Sequence, residues 1–374
     1  MMCGEGRLVG FEATALELRQ KSGVSYYTAH LLNSLAEQDS GWRFVLLMSR
    51  APACAISRNV RVPAGWRLPN RSLWMQFVLP RLVARLCPQV CHFTNSIAPL
   101  SLTCPFVVSL YDMSLFLFPR LQPRRSLWLV RSILPAVTRK AAAVITVSSS
   151  SKNDILRVLG LPPEKVHVVY GAAADTFCPI ENPLELEPTR RKYGLEEPFI
   201  LSVSTVEPRK NLSRLLTAFS EMRRRGRREQ LVLAGQLGWH YRPLLRQIEQ
   251  SGLRDAVRLL GYVPEEDLPH IYNLARAVAF PSLYEGFGLP IVEAMACGVP
   301  VLTGNGSAMA EVGAGAALLV DPLSAEEIEH GLVRLLTDES FRQELRGAGL
   351  ARAMQFSWAR AARETIAVYQ KIAP

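Results

Sequence analysis

Short apolar runs alternate with amphipathic stretches along most of the chain. Residues 7–11 are an apolar run, a polar stretch centred on Gly23 follows, and the apolar residues of 26–35 recur at helical spacing, so the opening reads as strand, loop and helix. The pattern recurs, with strands expected at 44–48, 90–93, 106–110 and 144–147 and helices at 126–143 and 149–159. Residues 179–189, PIENPLELEPT, hold three prolines and alternating acids, the composition of a linker between compact units. A second series follows, with strands at 199–204, 231–234, 257–260, 277–280, 299–303 and 317–320 and helices at 211–223 and 243–250. Buried apolar strands joined by helical crossovers build parallel sheets. The expected class is α/β, with two Rossmann-like domains whose parallel sheets face a central cleft.

The length agrees, since 374 residues exceed one ordinary core and suit two domains of roughly 150 to 200 residues each. The first twenty residues contain no continuous apolar segment of the kind a secretory signal needs. The longest uncharged stretch, 87–111, is broken by Pro88, Pro99 and Pro105 and does not read as a spanning helix. Seven scattered cysteines without a C-x-x-C pair argue against a disulfide framework and a structural zinc site, and fit a reducing cytoplasm. Cys87 and Cys91 have helical spacing, but Pro88 lies between them and they read as core residues.

Charge divides the chain. Residues 1–180 hold 20 Lys and Arg against 9 Asp and Glu, whereas residues 181–374 hold 23 against 24, so the net +10 lies wholly in the first half. Much of it is interleaved with apolar residues, at Trp66-Arg67, Arg71-Ser72-Leu73-Trp74, Arg81 to Arg85 and 120–140. Such a face suits the anionic inner surface of a membrane as well as plain solvent.

Ligands of open parallel sheets bind beyond the carboxyl ends of the strands, so the loops there carry the chemistry. In Ser204-Thr205-Val206-Glu207-Pro208-Arg209-Lys210-Asn211, two adjacent cations precede a helix, where an anion such as a diphosphate meets both charges and free N–H groups. The Arg-Lys pair alone would read as incidental charge in a solvated turn, and its context reverses that. In Pro281-Ser282-Leu283-Tyr284-Glu285-Gly286-Phe287-Gly288-Leu289-Pro290, Gly286 and Gly288 let backbone approach a ligand, and Pro290 and Gly298 mark the bounds of the next helix. Glu293 is expected in that helix's first turn, where a carboxylate can accept both hydroxyls of a ribose, with Glu285 nearer the phosphates. The loop 19–26, with Arg19, Lys21 and Gly23, would bring backbone to phosphate across the cleft.

These segments resemble the retaining family-four, or group 1, glycosyltransferases of the GT-B fold. The resemblance runs through VSTVEPRKNLSRLLTAF, LVLAGQLGW, VRLLGYVPEEDLPHIYNLARAVAFPSLYEGFGLPIVEAMACGVPVL and AALLVDP, with Glu285 and Glu293 at the family's E-x7-E spacing. It extends to VSSSSKNDILRVLGLPPEKVHVVYGAAADTF and the segment around Gly23, so essentially the whole chain is included. It implies an N-terminal acceptor domain over 1–178, a nucleotide-sugar domain over 179–355, and a terminal helix within 356–374 that crosses back to the first domain. It further implies that Arg209 and Lys210 bind the donor diphosphate and stabilise it as it leaves, that Glu293 holds the ribose, and that Glu285 contacts the donor sugar. Gly286, Phe287, Gly288 and Leu289 offer backbone N–H groups, and Val263 lies in the stretch that flanks the base. Preorganised cations suit a leaving diphosphate, because negative charge accumulates there in the transition state.

The chain departs from the family pattern where Tyr111-Asp112 replaces a common His-Asp pair, where Ser204 replaces a usual Gly, and where Gly171-Ala172-Ala173-Ala174-Asp175 replaces Asn-Gly-Val-Asp. Tyr111 hydrogen-bonds but does not titrate near neutrality. The expected catalytic group is Glu285, Arg209, Lys210 and Tyr111. The donor-binding group is Gly23, Ser204, Arg209, Lys210, Val263, Glu285, Gly286, Phe287, Gly288, Leu289 and Glu293, with Tyr111 and Asp112 on the acceptor side. No D-x-D motif occurs, so no metal is expected. No cofactor is expected either; the co-substrate is a nucleotide sugar, GDP-mannose first and a UDP-sugar second. The expected reaction moves a hexosyl group, with retention, onto a glycan or lipid-linked glycan in cell-surface polysaccharide synthesis, in the cytoplasm or peripherally on the inner face of the membrane, with an anionic membrane surface as a further partner and no nucleic acid. The rival readings are a dehydrogenase, which lacks its G-x-G-x-x-G fingerprint here, a non-hydrolysing epimerase or phosphorylase, a nucleic-acid binder, and an inactive nucleotide-sugar-binding subunit.

Overall fold

The apolar runs pair into two all-parallel sheets. The computed structural model describes residues 7–17, 20, 22–57, 59–62, 73–122, 124–195 and 198–373. The first sheet has the order β3-β2-β1-β4-β5-β6-β7, with β1 Arg7–Glu12, β2 Trp42–Leu47, β3 Val60–Arg61, β4 Val90–Phe93, β5 Phe106–Leu110, β6 Ala143–Thr146 and β7 Val166–Val168. The second has the order β10-β9-β8-β11-β12-β13, with β8 Phe199–Val203, β9 Gln230–Ala234, β10 Val257–Gly261, β11 Ala277–Phe280, β12 Val301–Gly304 and β13 Leu318–Val320. Both orders run outward from their first strand in one direction and then in the other, as in doubly wound Rossmann sheets. Each therefore has a switch point, between β1 and β4 and between β8 and β11.

The chain divides into two compact units, residues 1–171 with 357–374, and residues 172–356. The division falls between 171 and 172, where the sequence suggests 178 and 179. The core of the first unit gathers Trp74, Leu79, Val83, Phe93, Val108, Leu134 and Val144 around its sheet. That of the second gathers Leu215, Phe219, Met222, Leu231, Ile328, Leu332 and Leu335. Several helices begin at a capping serine. The Ser22 hydroxyl accepts from the Ser25 N–H to start Gly23–Glu37, Ser148 from Ser151 to start Ser149–Leu159, and Ser324 from Glu327 to start Ala325–Thr337.

Three expectations are corrected. Residues 179–189 are not an irregular linker: Asn182 caps the N-terminus of a helix, Pro183–Tyr193, with Pro183 in its first turn and Gly194 in a left-handed conformation closing it. Proline-rich composition misleads here because Pro183 needs no N–H partner and Pro188 removes only one helical hydrogen bond. Of the two cysteines read as core residues only Cys91 is one, buried on β4, whereas Cys87 is exposed where it ends the helix Leu79–Leu86 in a left-handed conformation. Trp74, grouped above with the basic face, is completely buried in the core.

The rest of that face is partly visible. Arg81 and Arg85 are exposed, as are Leu73 and Phe77 just before them, and so are Arg131, Arg139 and Lys140 on the helix Arg124–Lys140. Trp66, Arg67, Arg71 and Ser72 lie outside the described residues, and so do the side chains of residues 124–126, 128 and 129. Among the described residues no helix is long and apolar enough to cross a membrane.

Candidate functional site

The two loops at the switch point of the second sheet, after β8 and after β11, are bound to each other. The Leu283 N–H donates to the Arg209 carbonyl at 2.9 Å. Asn211, in a left-handed conformation at φ 59°, donates from its side chain to the Pro281 carbonyl at 3.0 Å and the Pro322 carbonyl at 2.6 Å. Asn is well suited to the position, because it tolerates that conformation and its amide can bridge two carbonyls. Behind the first loop, Gly235 at φ 144° lets the backbone after β9 approach Ser204 so closely that a Cβ would stand 2.0 Å from the Ser204 carbonyl oxygen.

The charged residues of the two loops form one cluster. Arg209 donates to the Tyr284 carbonyl at 2.7 Å, to Glu285 Oε2 at 2.8 Å and to Glu207 Oε1 at 2.8 Å. Lys210 Nζ donates to Glu285 Oε1 at 2.7 Å and lies 5.2 Å from the centre of the Phe280 ring. Glu285 thus holds one cation on each oxygen. Burial pushes its carboxyl upward, but Arg209 and Lys210 outweigh burial and bring it down to about 2, so Glu285 is ionised. Burial lowers the Lys210 ammonium, with Glu285 acting against that, and raises Glu207, with Arg209 acting against it. The Glu285 N–H donates to the Ser307 hydroxyl at 3.1 Å, which fixes the loop beneath its side chain.

Glu293 follows on the helix Leu289–Ala296, which starts at Gly288 in a left-handed conformation. It is the fifth residue and so lies in the second turn rather than the first. Its Oε2 accepts from the Tyr272 hydroxyl at 2.8 Å. Burial raises its carboxyl to about 7, with the Tyr272 hydroxyl opposing and Glu265 adding to the rise. Phe287 is buried edge-on against Phe356 at 5.6 Å, and Val263 is buried as well. The structure therefore brings Arg209, Lys210 and Glu285 into direct contact, with Gly286, Phe287, Gly288, Leu289 and Glu293 on the same continuous segment.

The residues singled out in the first unit are arranged differently. Gly23 opens its helix, and an added Cβ would meet nothing within 4 Å. Arg19 and Lys21 lie outside the described residues. Asp112 Oδ1 accepts from the Ser114 N–H at 2.8 Å and so starts a one-turn helix. The Tyr111 hydroxyl turns inward beside Thr28 and Ser109, with the Tyr27 ring edge-on at 5.2 Å. Burial pushes that phenol far above its ordinary range.

Sequence reasoning missed Glu207, Tyr272 and Ser307. Glu207 stands two residues before Arg209 and shares its turn, a signal that was present. Tyr272 is 21 residues from Glu293 on another helix, a pairing that no local pattern encodes.

Both units have counterparts among known proteins. A family described as "Glycosyl transferases group 1" matches residues 187–352, and one described as "Glycosyltransferase Family 4" matches residues 21–173. The O-antigen chain mannosyltransferase B of Escherichia coli is 36% identical over 266 residues, covering 71% of this chain and 70% of that protein. The serotype-specific mannosyltransferase WbdA of Escherichia coli is 32% identical over 237 residues, 62% of this chain but only 29% of that longer protein. The crystal structure of Anabaena Alr3699/HepE in complex with UDP-glucose superposes with a TM-score of 0.74 at 19% identity, covering 96% of this chain and 98% of that one. The chain belongs to the group 1, family 4 glycosyltransferases of the GT-B fold.

Proposed function

We propose that the chain transfers a hexosyl group, mannose in the first instance, from a nucleoside-diphosphate sugar to a glycan or lipid-linked glycan of a cell-surface polysaccharide, with retention of configuration and without a metal ion. The observation that carries this reading is the cluster of Arg209, Lys210 and Glu285 at the switch point of the second sheet. A donor diphosphate offers oxygens that compete with the Glu285 carboxylate for the same N–H groups. As the donor bond breaks, negative charge grows on those oxygens, and two cations already fixed in place stabilise it with little reorganisation. Glu285, relieved of part of its pairing, is left to receive hydroxyls of the donor sugar. Glu293 accepts the ribose hydroxyls, and backbone N–H groups of 286–289 complete the donor contacts. Retention follows from attack on the face the diphosphate leaves, with a donor phosphate oxygen taking the acceptor's proton.

Mannose as the sugar rests on the O-antigen mannosyltransferase relative. A UDP-sugar donor is the second reading, favoured by the UDP-glucose bound to HepE. The exposed basic and apolar residues of the first unit suit an anionic membrane surface, on which a lipid-linked acceptor would lie. Calorimetric titration with GDP, UDP and ADP, with EDTA present, tests the reading and selects the donor class. Selective binding of GDP or UDP is expected, and failure of every nucleoside diphosphate to bind refutes the donor site.

A further inference from the structure

Residues 94–105 return the chain from the carboxyl end of β4 to the start of β5 without forming a helix. Among the contacts that hold the segment, Ala98 is completely buried, the Thr94 hydroxyl donates to the Glu12 carbonyl at 2.9 Å, Ser96 Oγ donates to the Ser109 carbonyl at 3.3 Å, and Cys104 Sγ lies 3.3 Å from Cys91 Sγ. The strand register explains that meeting. Cys91 is opposite Phe106 and its N–H donates to the Pro105 carbonyl at 3.0 Å, which leaves Cys104 beside it just before β5 begins. Cys91 has no room to retreat, since its sulfur packs over Gly10 of β1, where an added Cβ would stand 3.1 Å from it. Cys91 is fully buried and Cys104 is half-buried, so Cys104 is the more accessible of the two.

We propose that Cys91 and Cys104 form an oxidisable dithiol that closes to a reversible intramolecular disulfide, with peroxide as the two-electron oxidant. The Cys104 thiolate attacks one peroxide oxygen. An S–O bond forms, the O–O bond breaks, and the departing hydroxide takes a proton to become water, leaving Cys104 as a sulfenic acid. Cys91 sulfur then attacks Cys104 sulfur. The S–S bond forms, the S–O bond breaks, and the Cys91 proton leaves with the hydroxyl as a second water. Two thiols and one peroxide thus become one disulfide and two waters. The hydrogen bond from Cys91 lowers the Cys104 thiol, with burial opposing, and the same contact followed by burial raises Cys91, which makes Cys104 the attacking sulfur. Closure ties the helix-free return segment to β4 covalently.

The test uses the full-length chain, reduced, desalted and exposed to hydrogen peroxide under native conditions. Remaining thiols are then blocked in denaturant, and the chain is cleaved with chymotrypsin, which cuts after Phe93 and so between the two cysteines. The expected product is a Cys91 peptide joined to a Cys104 peptide, two hydrogens lighter than the sum of its parts and separated by dithiothreitol. The Cys104→Ser variant should give no joined peptide, and Cys91→Ser should leave a Cys104 sulfenic acid that dimedone traps. Recovery of both cysteines as blocked thiols, while the exposed Cys87 and Cys178 are oxidised, overturns the proposal. So does a bridge from Cys104 to any other cysteine. The peptide map of the unmodified chain decides between these outcomes even if neither variant folds.

Discussion

Glu293→Gln separates what this carboxyl costs the fold from what it contributes to binding. Glu293 is 5% exposed, and its carboxyl titrates at about 7 in the folded protein against an ordinary 4.5. Below 4.5 the folded and unfolded chains both hold the proton, and the group costs nothing. As pH rises through 4.5 the unfolded chain releases its proton while the folded chain keeps it, so stability falls until about 7 and the penalty is constant above that. At about 1.4 kcal/mol per pH unit, the penalty reaches about 3 kcal/mol. Gln imitates the protonated acid and still accepts from Tyr272, so it escapes the penalty. Urea unfolding of both proteins at about pH 4.5 and about pH 8 should show the variant gaining about 3 kcal/mol relative to the parent between the two conditions. Every other titrating group is common to both proteins and cancels in that comparison. Parallel stability profiles would refute the reasoning. The same variant should bind GDP or UDP more weakly by about 1.5 to 3 kcal/mol, since a neutral amide replaces a charged acceptor.

Arg209→Ala and Lys210→Ala should each lower kcat by roughly 10- to 150-fold, from the loss of about 1.5 to 3 kcal/mol of charge-assisted stabilisation, with smaller effects on nucleotide affinity measured by calorimetry. Asn211→Ala should destabilise the second unit by about 2 kcal/mol or more in urea unfolding, because the buried Pro281 carbonyl and the half-buried Pro322 carbonyl lose the amide that bridges them and Ala resists the left-handed backbone. Tyr369→Phe should cost about 1 to 3 kcal/mol by leaving the nitrogen of the buried His92 without its 2.6 Å partner, while nucleotide affinity stays unchanged. Arg81→Glu with Arg85→Glu should weaken binding to anionic phospholipid vesicles by about 1 kcal/mol or more per residue, an effect that added salt removes. Unchanged sedimentation with the vesicles would exclude this face as the membrane contact.

Much of the fold was legible because its strands are short, apolar and sharply bounded. β4, β5 and β11 and the helix Ser149–Leu159 have the bounds their sequence suggests, each flanked by proline, glycine or a capping serine. β3 and β7 were not legible, since two or three residues carry too little periodicity and their pairing is decided by the neighbouring strand. In the candidate site, the spacing of Glu285 and Glu293 and the pair Arg209-Lys210 were visible in the chain. Their partners were not. That Glu285 takes both cations, and that Glu207 and Tyr272 complete the two carboxylate environments, depends on loops brought together by the strand order. Tyr111 shows the converse limit, because the sequence places it just after β5 but carries no sign that its hydroxyl is buried beside Thr28 and Ser109, with the Tyr27 ring edge-on.

The first unit is discontinuous in the chain. Trp358 stacks on His30 at 5.4 Å and meets Tyr27 edge-on at 5.2 Å, and Tyr369 closes over His92, so the helix Trp358–Ile372 is part of that unit's interior. During synthesis these residues emerge only after all of 172–356 has been made. The second unit is a single uninterrupted stretch and can complete its core while the first still lacks one of its walls. The unit whose chain is made first is thus the one that cannot close until residues 357–374 have been made, however early its first 171 residues emerge.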